Sequence, residues 1–157
     1  MLKVKLVCVG GIKEKFFAEA VGEYLKRLKR FCKIEVLEID EKLKSNKPSQ
    51  AEIVKALESE GAEVLSKAEG FTVALDKSGK QTSSIDFAEF FKQVGNTHSA
   101  VTFVVGGSHG LGESVKKSAD TVLSLGEMTF PHHLFRVMLA EQIYRAFSIN
   151  AGSDYHK

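Results

Sequence analysis

The 157-residue chain has little cysteine, no tryptophan and no long apolar run. Its two cysteines, Cys8 and Cys32, lack the CxxC spacing of a metal or redox site and stand among apolar residues, so we expect buried free thiols. No apolar stretch approaches the roughly 20 residues that a membrane-spanning helix needs. The opening MLKVKLVCVGG is too short and too charged for a signal peptide and predicts a strand. These absences predict a cytoplasmic protein with no membrane segment.

Repeats, low-complexity segments and clear linkers are also absent, which favours a single domain over residues 1–157. The net charge of +2 is unevenly distributed, because residues 1–33 hold nine Lys or Arg and only three Glu. Part of this excess is a basic patch on the predicted first helix, formed by Lys26, Arg27, Lys29 and Arg30. The patch suits a polyanion such as nucleic acid, or it is only a solvated helix face.

Apolar periodicity predicts strands alternating with helices. Strands are predicted at 3–9, 34–39, 71–76, 100–105 and 120–125, and helices at 13–31, 50–68, 84–94, 111–118 and 131–147. Ser49 is a predicted N-cap, Gly61 is expected to weaken the second helix, and residues 77–80 are predicted to form a turn. The alternation predicts an α/β fold whose mainly parallel five-stranded sheet carries helices on both faces.

Three of the predicted strands end in residues suited to a ligand site. These ends are Leu75-Asp76, Gly106-Gly107-Ser108 and Gly126-Glu127. In parallel α/β sheets, ligands bind outside the carboxyl ends of the strands, and glycine lets the backbone approach a ligand closely. Together the three ends predict a pocket.

The glycine turn at 106–110 matches motifs of several chemistries. Gly107-x-x-Gly110-x-Gly112 resembles a dinucleotide loop, but it follows the fourth strand and leaves little chain for a hydride-transfer domain. A P-loop is excluded because Glu113 follows Gly112. A tight glycine turn without any ligand is also compatible with the pattern.

The same turn fits the GxSxG nucleophile elbow of a serine hydrolase, with Ser108 as nucleophile. Acidic and histidine partners follow it in the order that such hydrolases use: Asp120 or Asp154, then His132 or His156. The fold of those enzymes usually needs a much longer chain. A metal site is weaker still, because the adjacent His132 and His133 point to different faces of a helix start.

The last predicted helix has almost no polar face. Between Leu134 and Phe147 its strongly polar residues are Arg136, Glu141, Gln142 and Arg145. Such a helix must be buried on most sides, and since a small sheet covers one face, the remainder suggests a subunit partner. Glu141 and Arg145 stand four residues apart, as in a simple helix ion pair or in a functional pair held at an interface.

The whole chain resembles the RlmH (YbeA-type) family of the SPOUT methyltransferases. The resemblance rests on Gly10-Gly11-Ile12-Lys13-Glu14, LDKSGKQTSS at 75–84, FVVGGSHGL at 103–111, MTFPHHLFRVMLAEQIYRA at 128–146 and the terminal YHK. Five matches in order are far more specific than one glycine motif.

The resemblance implies a C-terminal deep trefoil knot that holds bent S-adenosylmethionine, with no metal. Matching positions imply that Leu75, Leu125 and Phe130 form apolar walls. The implied cofactor-binding residues are Leu75, Gly106, Leu125, Gly126, Glu127, Met128, Thr129 and Phe130. It also implies a homodimer with the last helix in the interface.

The implied reaction methylates N3 of a pseudouridine in large-subunit (23S) ribosomal RNA on the assembled ribosome, without a separate RNA-binding domain. Alignment of donor and acceptor drives such a transfer, and a base helps because the ring nitrogen carries a proton. The candidates are Tyr155 and His156, with Arg145 stabilising the developing anion or binding phosphate. The basic patch is expected to contact RNA phosphate. A ribosome-binding assembly factor that retains the fold without catalysis is the main alternative.

Two positions depart from the family pattern. His133 stands where glutamine is more frequent, which is expected to alter substrate contacts or to add pH sensitivity. Asp154 stands where proline often precedes the Tyr-His pair, which predicts a less rigid tail. Neither position belongs to the expected cofactor pocket.

Overall fold

The computed structural model describes all residues from 1 to 157. The strands are β1 (Lys3–Val9), β2 (Lys33–Ile39), β3 (Phe71–Gln81), β4 (Ala100–Val105) and β5 (Thr121–Ser124). The helices are α1 (Lys15–Leu28), α2 (Gln50–Lys67), α3 (Ser84–Thr97), α4 (Glu113–Ser118) and α5 (His132–Asn150). All strand pairs are parallel, in the order β2-β1-β4-β3-β5. The predicted fold class and sheet are confirmed.

The sheet separates two apolar cores, one on each face. Alternate side chains of β1 show why: Leu6 and Cys8 belong to one core, whereas Val7 and Val9 belong to the other. The larger core packs the sheet against α1, α3 and α5, and the smaller one packs it against α2 and α4. All six residues of β4 are buried, as expected for a central strand covered on both sides.

Both cysteines are free and buried, as predicted. Burial raises the pKa of the Cys8 thiol to about 11 and that of Cys32 to about 12, so both stay protonated at neutral pH. They behave as small apolar side chains of the core.

Local signals account for the helix starts and for one close helix contact. Ser49 accepts from the backbone N–H of Glu52, whose side chain accepts in return from Ser49 N, which completes a capping box. Gly61 does not interrupt α2. A Cβ there would lie 2.8 Å from Cγ2 of Val115, so the glycine instead lets α4 pack closely against α2.

The predicted turn at 77–80 is wrong, because β3 continues to Gln81. Leu75 and Lys80 both pair with Leu123 of β5, so the residues between them bulge out of the ladder. Gly79 makes this possible, since a Cβ there would lie 2.7 Å from the Val122 carbonyl. Sequence periodicity cannot reveal this bulge, because the bulge depends on the backbone of β5, which is distant in the sequence.

Helix α5 lies between α1 and α3, and no residue from His132 to Asn150 is fully exposed. It ends at Asn150, three residues beyond the predicted end. Contacts with α1 and α3, in addition to the sheet, therefore bury much of the apolar surface of α5 within one chain. No helix has both the length and the apolarity to cross a membrane.

Candidate functional site

A cavity of about 460 Å³ opens at the carboxyl edge of the sheet, within the roughly 300–1,000 Å³ of small-molecule sites. We call it the strand-end cavity. The three predicted strand ends meet there together with the start of α5. Its lining residues are Leu75, Asp76, Lys77, Val105, Gly106, Gly107, Ser108, Gly110, Ser124, Leu125, Gly126, Met128, Thr129, Phe130, Pro131, His132 and Phe135. Seven of the eight residues predicted to bind the cofactor are among them, and Glu127 is not.

One wall is the glycine turn at 106–110. Gly110 has φ +73° and donates from its N–H to the carbonyl of Gly107, 3.1 Å away. A Cβ on Gly106 would lie 2.5 Å from the carbonyl group of Gly110, so no side chain fits there. The turn therefore presents backbone rather than side chains to the cavity.

Ser108 does not have the geometry of a hydrolase nucleophile. An elbow holds its nucleophile on a strained turn, whereas no residue other than glycine has positive φ in this chain. The hydroxyl of Ser108 donates to Oε1 of Glu41 at 2.8 Å, and the imidazole nitrogen nearest to it, at 3.1 Å, belongs to the adjacent His109 and not to His132 or His156. The elbow interpretation is wrong for this turn.

The opposite wall is the loop at 125–130. Ser124, just before it, is 2% exposed and bonds Gly126 twice, accepting from its N–H at 3.2 Å and donating to its carbonyl at 3.0 Å. These bonds turn the chain at Gly126, whose φ is +132°. Ser124 was not predicted as a site residue, although a serine before glycine at a strand end is the signal for such a turn.

Polar side chains surround the mouth of the cavity. Lys77 donates to the hydroxyl of Thr129, linking β3 to the 125–130 loop. Burial favours a higher pKa for Asp76, but hydrogen bonds from Ser78 and the charge of Lys116 outweigh it and hold the pKa below its ordinary value. Burial, with the neighbouring charges of His133 and Arg136, lowers the pKa of His132, which keeps this imidazole neutral at pH 7.

The start of α5 is tied to the carboxyl ends of β1 and β2 by Arg136, which is 3% exposed. Its guanidinium donates to the carbonyls of Val9 and Gly10 at 2.9 and 2.5 Å, and to Glu38 at 2.8 Å. Beside it, Nδ1 of His133 lies 2.6 Å from Oε2 of Glu14, at the N-cap of α1. The sequence signal for this anchor is an arginine in the otherwise apolar first half of the last helix.

The three predicted catalytic residues lie together at the end of α5. Arg145 bonds Oε1 of Glu141 from Nε at 2.9 Å, and its Nη1 lies 3.1 Å from Nδ1 of His156. The hydroxyl of Tyr155 donates to the same Glu141 oxygen at 3.2 Å, and the guanidinium lies 4.8 Å from the Tyr155 ring centre. We call Glu141, Arg145, Tyr155 and His156 the tail cluster. These contacts hold Tyr155 and His156 half-buried.

Burial, with a hydrogen bond to Tyr24 and the charge of Glu141, raises the pKa of Tyr155 to about 12. Tyr155 is therefore a protonated donor at neutral pH. No member of the tail cluster lines the strand-end cavity of its own chain. Glu141 instead lines a second cavity of about 340 Å³, which shares Leu125 with the first.

The basic patch adjoins the tail cluster. Arg30 donates to the hydroxyl of Tyr144 at 3.5 Å, and the ring of Tyr144 packs edge-on against that of Tyr155. Arg27 is paired with Glu23 at 3.0 Å. Lys26 and Lys29 are exposed and bond no other side chain. The chain forms no cluster of three or more His, Cys, Asp or Glu suited to a metal ion.

Comparison with known proteins agrees with this architecture. Residues 2–156 match the family model described as "Predicted SPOUT methyltransferase". The chain is 46% identical to ribosomal RNA large subunit methyltransferase H of Lactobacillus acidophilus, over 99% of this chain and 100% of that protein. It is 43% identical to the protein of the same name from Oenococcus oeni, over the full length of both.

Two solved structures share the fold. A probable methyltransferase from Bordetella pertussis aligns with a TM-score of 0.57 at 13% identity, over 93% of this chain and 95% of that one. A tRNA (m1G37) methyltransferase from Aquifex aeolicus aligns with a TM-score of 0.50 at 15% identity, over 92% and 69%. Identities this low show the fold alone. The match along nearly the whole sequence is what establishes that this chain belongs to the SPOUT methyltransferase family.

Proposed function

We propose that this protein transfers a methyl group from S-adenosylmethionine to N3 of a pseudouridine in large-subunit ribosomal RNA. The observation that carries the proposal is the strand-end cavity, in which three segments shared with the family surround one ligand-sized space. The full-length relatives named as ribosomal RNA large subunit methyltransferase H support the substrate class.

The residues of the strand-end cavity fit this cofactor. Leu75, Leu125 and Phe130 offer apolar surface for a nucleoside, and the glycine turn and Gly126 offer backbone groups without side chains in the way. When bound, the cofactor supplies a methyl group carried on a positively charged sulfur. The protein's part is to orient it and to exclude water.

The tail cluster is proposed to handle the proton that the ring nitrogen loses. A guanidinium only donates, so Nδ1 of His156 is the acceptor in its contact with Arg145 and the imidazole proton is on Nε2. When Arg145 turns to a substrate anion or phosphate, it frees Nδ1 to take a proton. Tyr155, protonated up to about pH 12, acts as a hydrogen-bond donor and not as the base.

We propose that two copies of the chain form the active enzyme, with α5 in the interface and the tail cluster completing the partner's cavity. The separation of the tail cluster from the strand-end cavity within one chain supports this arrangement. So do Val137 and Met138, apolar residues of α5 that line the open second cavity. The proposal includes the trefoil knot that the family resemblance implies, and it treats residues 1–157 as one domain.

The basic patch is proposed to bind RNA phosphate on the assembled ribosome in the cytoplasm. Lys26 and Lys29, which bond no other side chain, are the residues most available for this contact. Arg27 and Arg30 of the same patch contact Tyr144, which packs against Tyr155, so RNA bound to the patch would lie close to the reacting groups.

Mass spectrometry of ribosomal RNA from a deletion strain, with and without the restored gene, tests the reaction. We expect one methylated pseudouridine to disappear on deletion and to return on complementation. An unchanged profile of ribosomal RNA modifications in the deletion strain would contradict the proposal. Calorimetric titration with S-adenosylmethionine separates the enzyme from an assembly factor without catalysis, because only the enzyme has to bind the cofactor.

A further inference from the structure

Charge is distributed unevenly around the strand-end cavity. Apolar side chains lie along its walls, among them Val105, Leu125 and Phe135, whereas Asp76, Lys77 and Thr129 are polar. Lys77 is the only lysine or arginine among the 17 lining residues. His132 is neutral at pH 7, because burial lowers its pKa. The cavity therefore has one permanent side-chain cation.

Lys77 has no carboxylate partner. Its ammonium donates to the hydroxyl of Thr129, and the nearby carboxylate of Asp76 is held by Ser78 and lies 3.8 Å from Lys116. An ammonium carries three donors, so two of them face no protein acceptor. A cation without an anionic partner at the edge of an apolar cavity suits a ligand that is apolar at one end and anionic at the other.

We infer that Lys77 binds the carboxylate of the amino-acid chain of the cofactor and so selects ligands that carry this chain. The inference rests on the proposed function. The adenosine part matches the apolar walls, and the charged chain then extends to the polar mouth. Asp76, which keeps its charge, favours the cationic groups of the same chain.

A second role for Lys77 has to be separated from this one. By bonding Thr129, it joins β3 to the 125–130 loop, and a purely structural link would support every ligand of the cavity equally. Two ligands distinguish the roles. S-adenosylhomocysteine carries the amino-acid chain, whereas 5′-methylthioadenosine has the same adenosine and sulfur with a methyl group in its place.

The experiment measures the dissociation constants of both ligands by calorimetry for the wild-type protein and for Lys77→Gln. We expect Lys77→Gln to bind S-adenosylhomocysteine about tenfold more weakly and 5′-methylthioadenosine with unchanged affinity, since a hydrogen bond to a charged group contributes about a factor of ten or more. Raising the salt concentration is expected to reduce the preference for S-adenosylhomocysteine in the wild type but not in the variant.

Two control variants complete the design. Lys80→Gln removes the same charge from the same strand, outside the cavity lining, and is expected to leave both constants unchanged. Thr129→Val removes the link to the loop but keeps the ammonium, and any effect is expected to be equal for the two ligands.

Equal weakening of both ligands by Lys77→Gln, or unchanged binding of S-adenosylhomocysteine, would overturn the inference. Failure of the proposed function gives a different result, in which the wild-type protein binds neither ligand.

Discussion

The guanidinium of Arg136 donates a hydrogen bond from Nη2 to the backbone carbonyl of Val9, 2.9 Å away, across 127 positions of sequence. The bond joins α5, which follows the 125–130 loop, to β1, the first strand in the chain. The carbonyl of Gly10 and the carboxylate of Glu38 share the same guanidinium. One buried cation thus fixes the start of α5 at the edge where the strand-end cavity opens.

We expect Arg136→Met to lower the free energy of unfolding by about 3 kcal/mol, because it leaves two carbonyls without their charged donor. Glu38→Gln is the matched control. The Glu38 side chain is 48% exposed, so water replaces its partner and the expected loss is at most about 1 kcal/mol. Urea denaturation measures both. Equal losses would contradict the assignment of the anchor to the backbone carbonyls.

The glycine turn offers a steric test. Gly106→Ala places a Cβ 2.5 Å from backbone atoms of Gly110, so we expect the turn to shift and the affinity for S-adenosylhomocysteine to fall by more than about tenfold. Gly95→Ala is the control, because its Cβ meets nothing within 4 Å in helix α3. It is expected to bind normally and to gain about 0.5–1 kcal/mol of stability.

The tail cluster is expected to affect transfer without affecting cofactor binding. His156→Ala should reduce the single-turnover rate on ribosomes by about a hundredfold or more, the usual contribution of a positioned acid or base. Its dissociation constant for S-adenosylhomocysteine should equal that of the wild type, because the tail cluster is proposed to act on the proton of the RNA base at the partner's cavity and not to hold the cofactor, whose implied binding residues do not include His156.

A loss of cofactor binding by His156→Ala would instead place this side chain against the cofactor.

Tyr155→Phe is expected to leave the shape of the pH–rate profile unchanged below pH 10, since the Tyr155 hydroxyl keeps its proton up to about pH 12. A change in the apparent pKa of the rate would count against its role as a donor.

Much of the cavity was predictable, because apolar runs mark the strands and glycines mark where they stop at Gly106 and Gly126. Parallel strands then bring those ends to one edge. The contacts of Arg136 with Val9 and of Ser108 with Glu41 were not predictable. Each depends on how distant segments cross in space, and residue spacing carries no information about that. The prediction of a turn at 77–80 was wrong for the same reason, since the continuation of β3 through Gly79 depends on its contact with β5.

The basic patch makes a prediction about salt. Lys26→Gln with Lys29→Gln should weaken ribosome binding and flatten the slope of log K against log salt by about 1.5–2, as expected for two phosphate contacts. Lys55→Gln with Lys67→Gln removes the same charge from α2, on the other face of the sheet, and should leave the slope unchanged. Binding to ribosomes at several salt concentrations measures this. If both double variants flatten the salt slope equally, the effect comes from the net charge of the protein and the basic patch has no specific role in RNA binding.

Groups attached next to Met1 and groups attached next to Lys157 are expected to affect the site differently. Lys157 directly follows His156, which lies against Arg145, so a purification tag or fusion partner attached there extends from the tail cluster itself. Met1 is 76% exposed and precedes β1 at the amino edge of the sheet, opposite the strand-end cavity. Fluorophores, tags and surface linkers therefore belong at the amino terminus, where they leave both the cavity and the tail free.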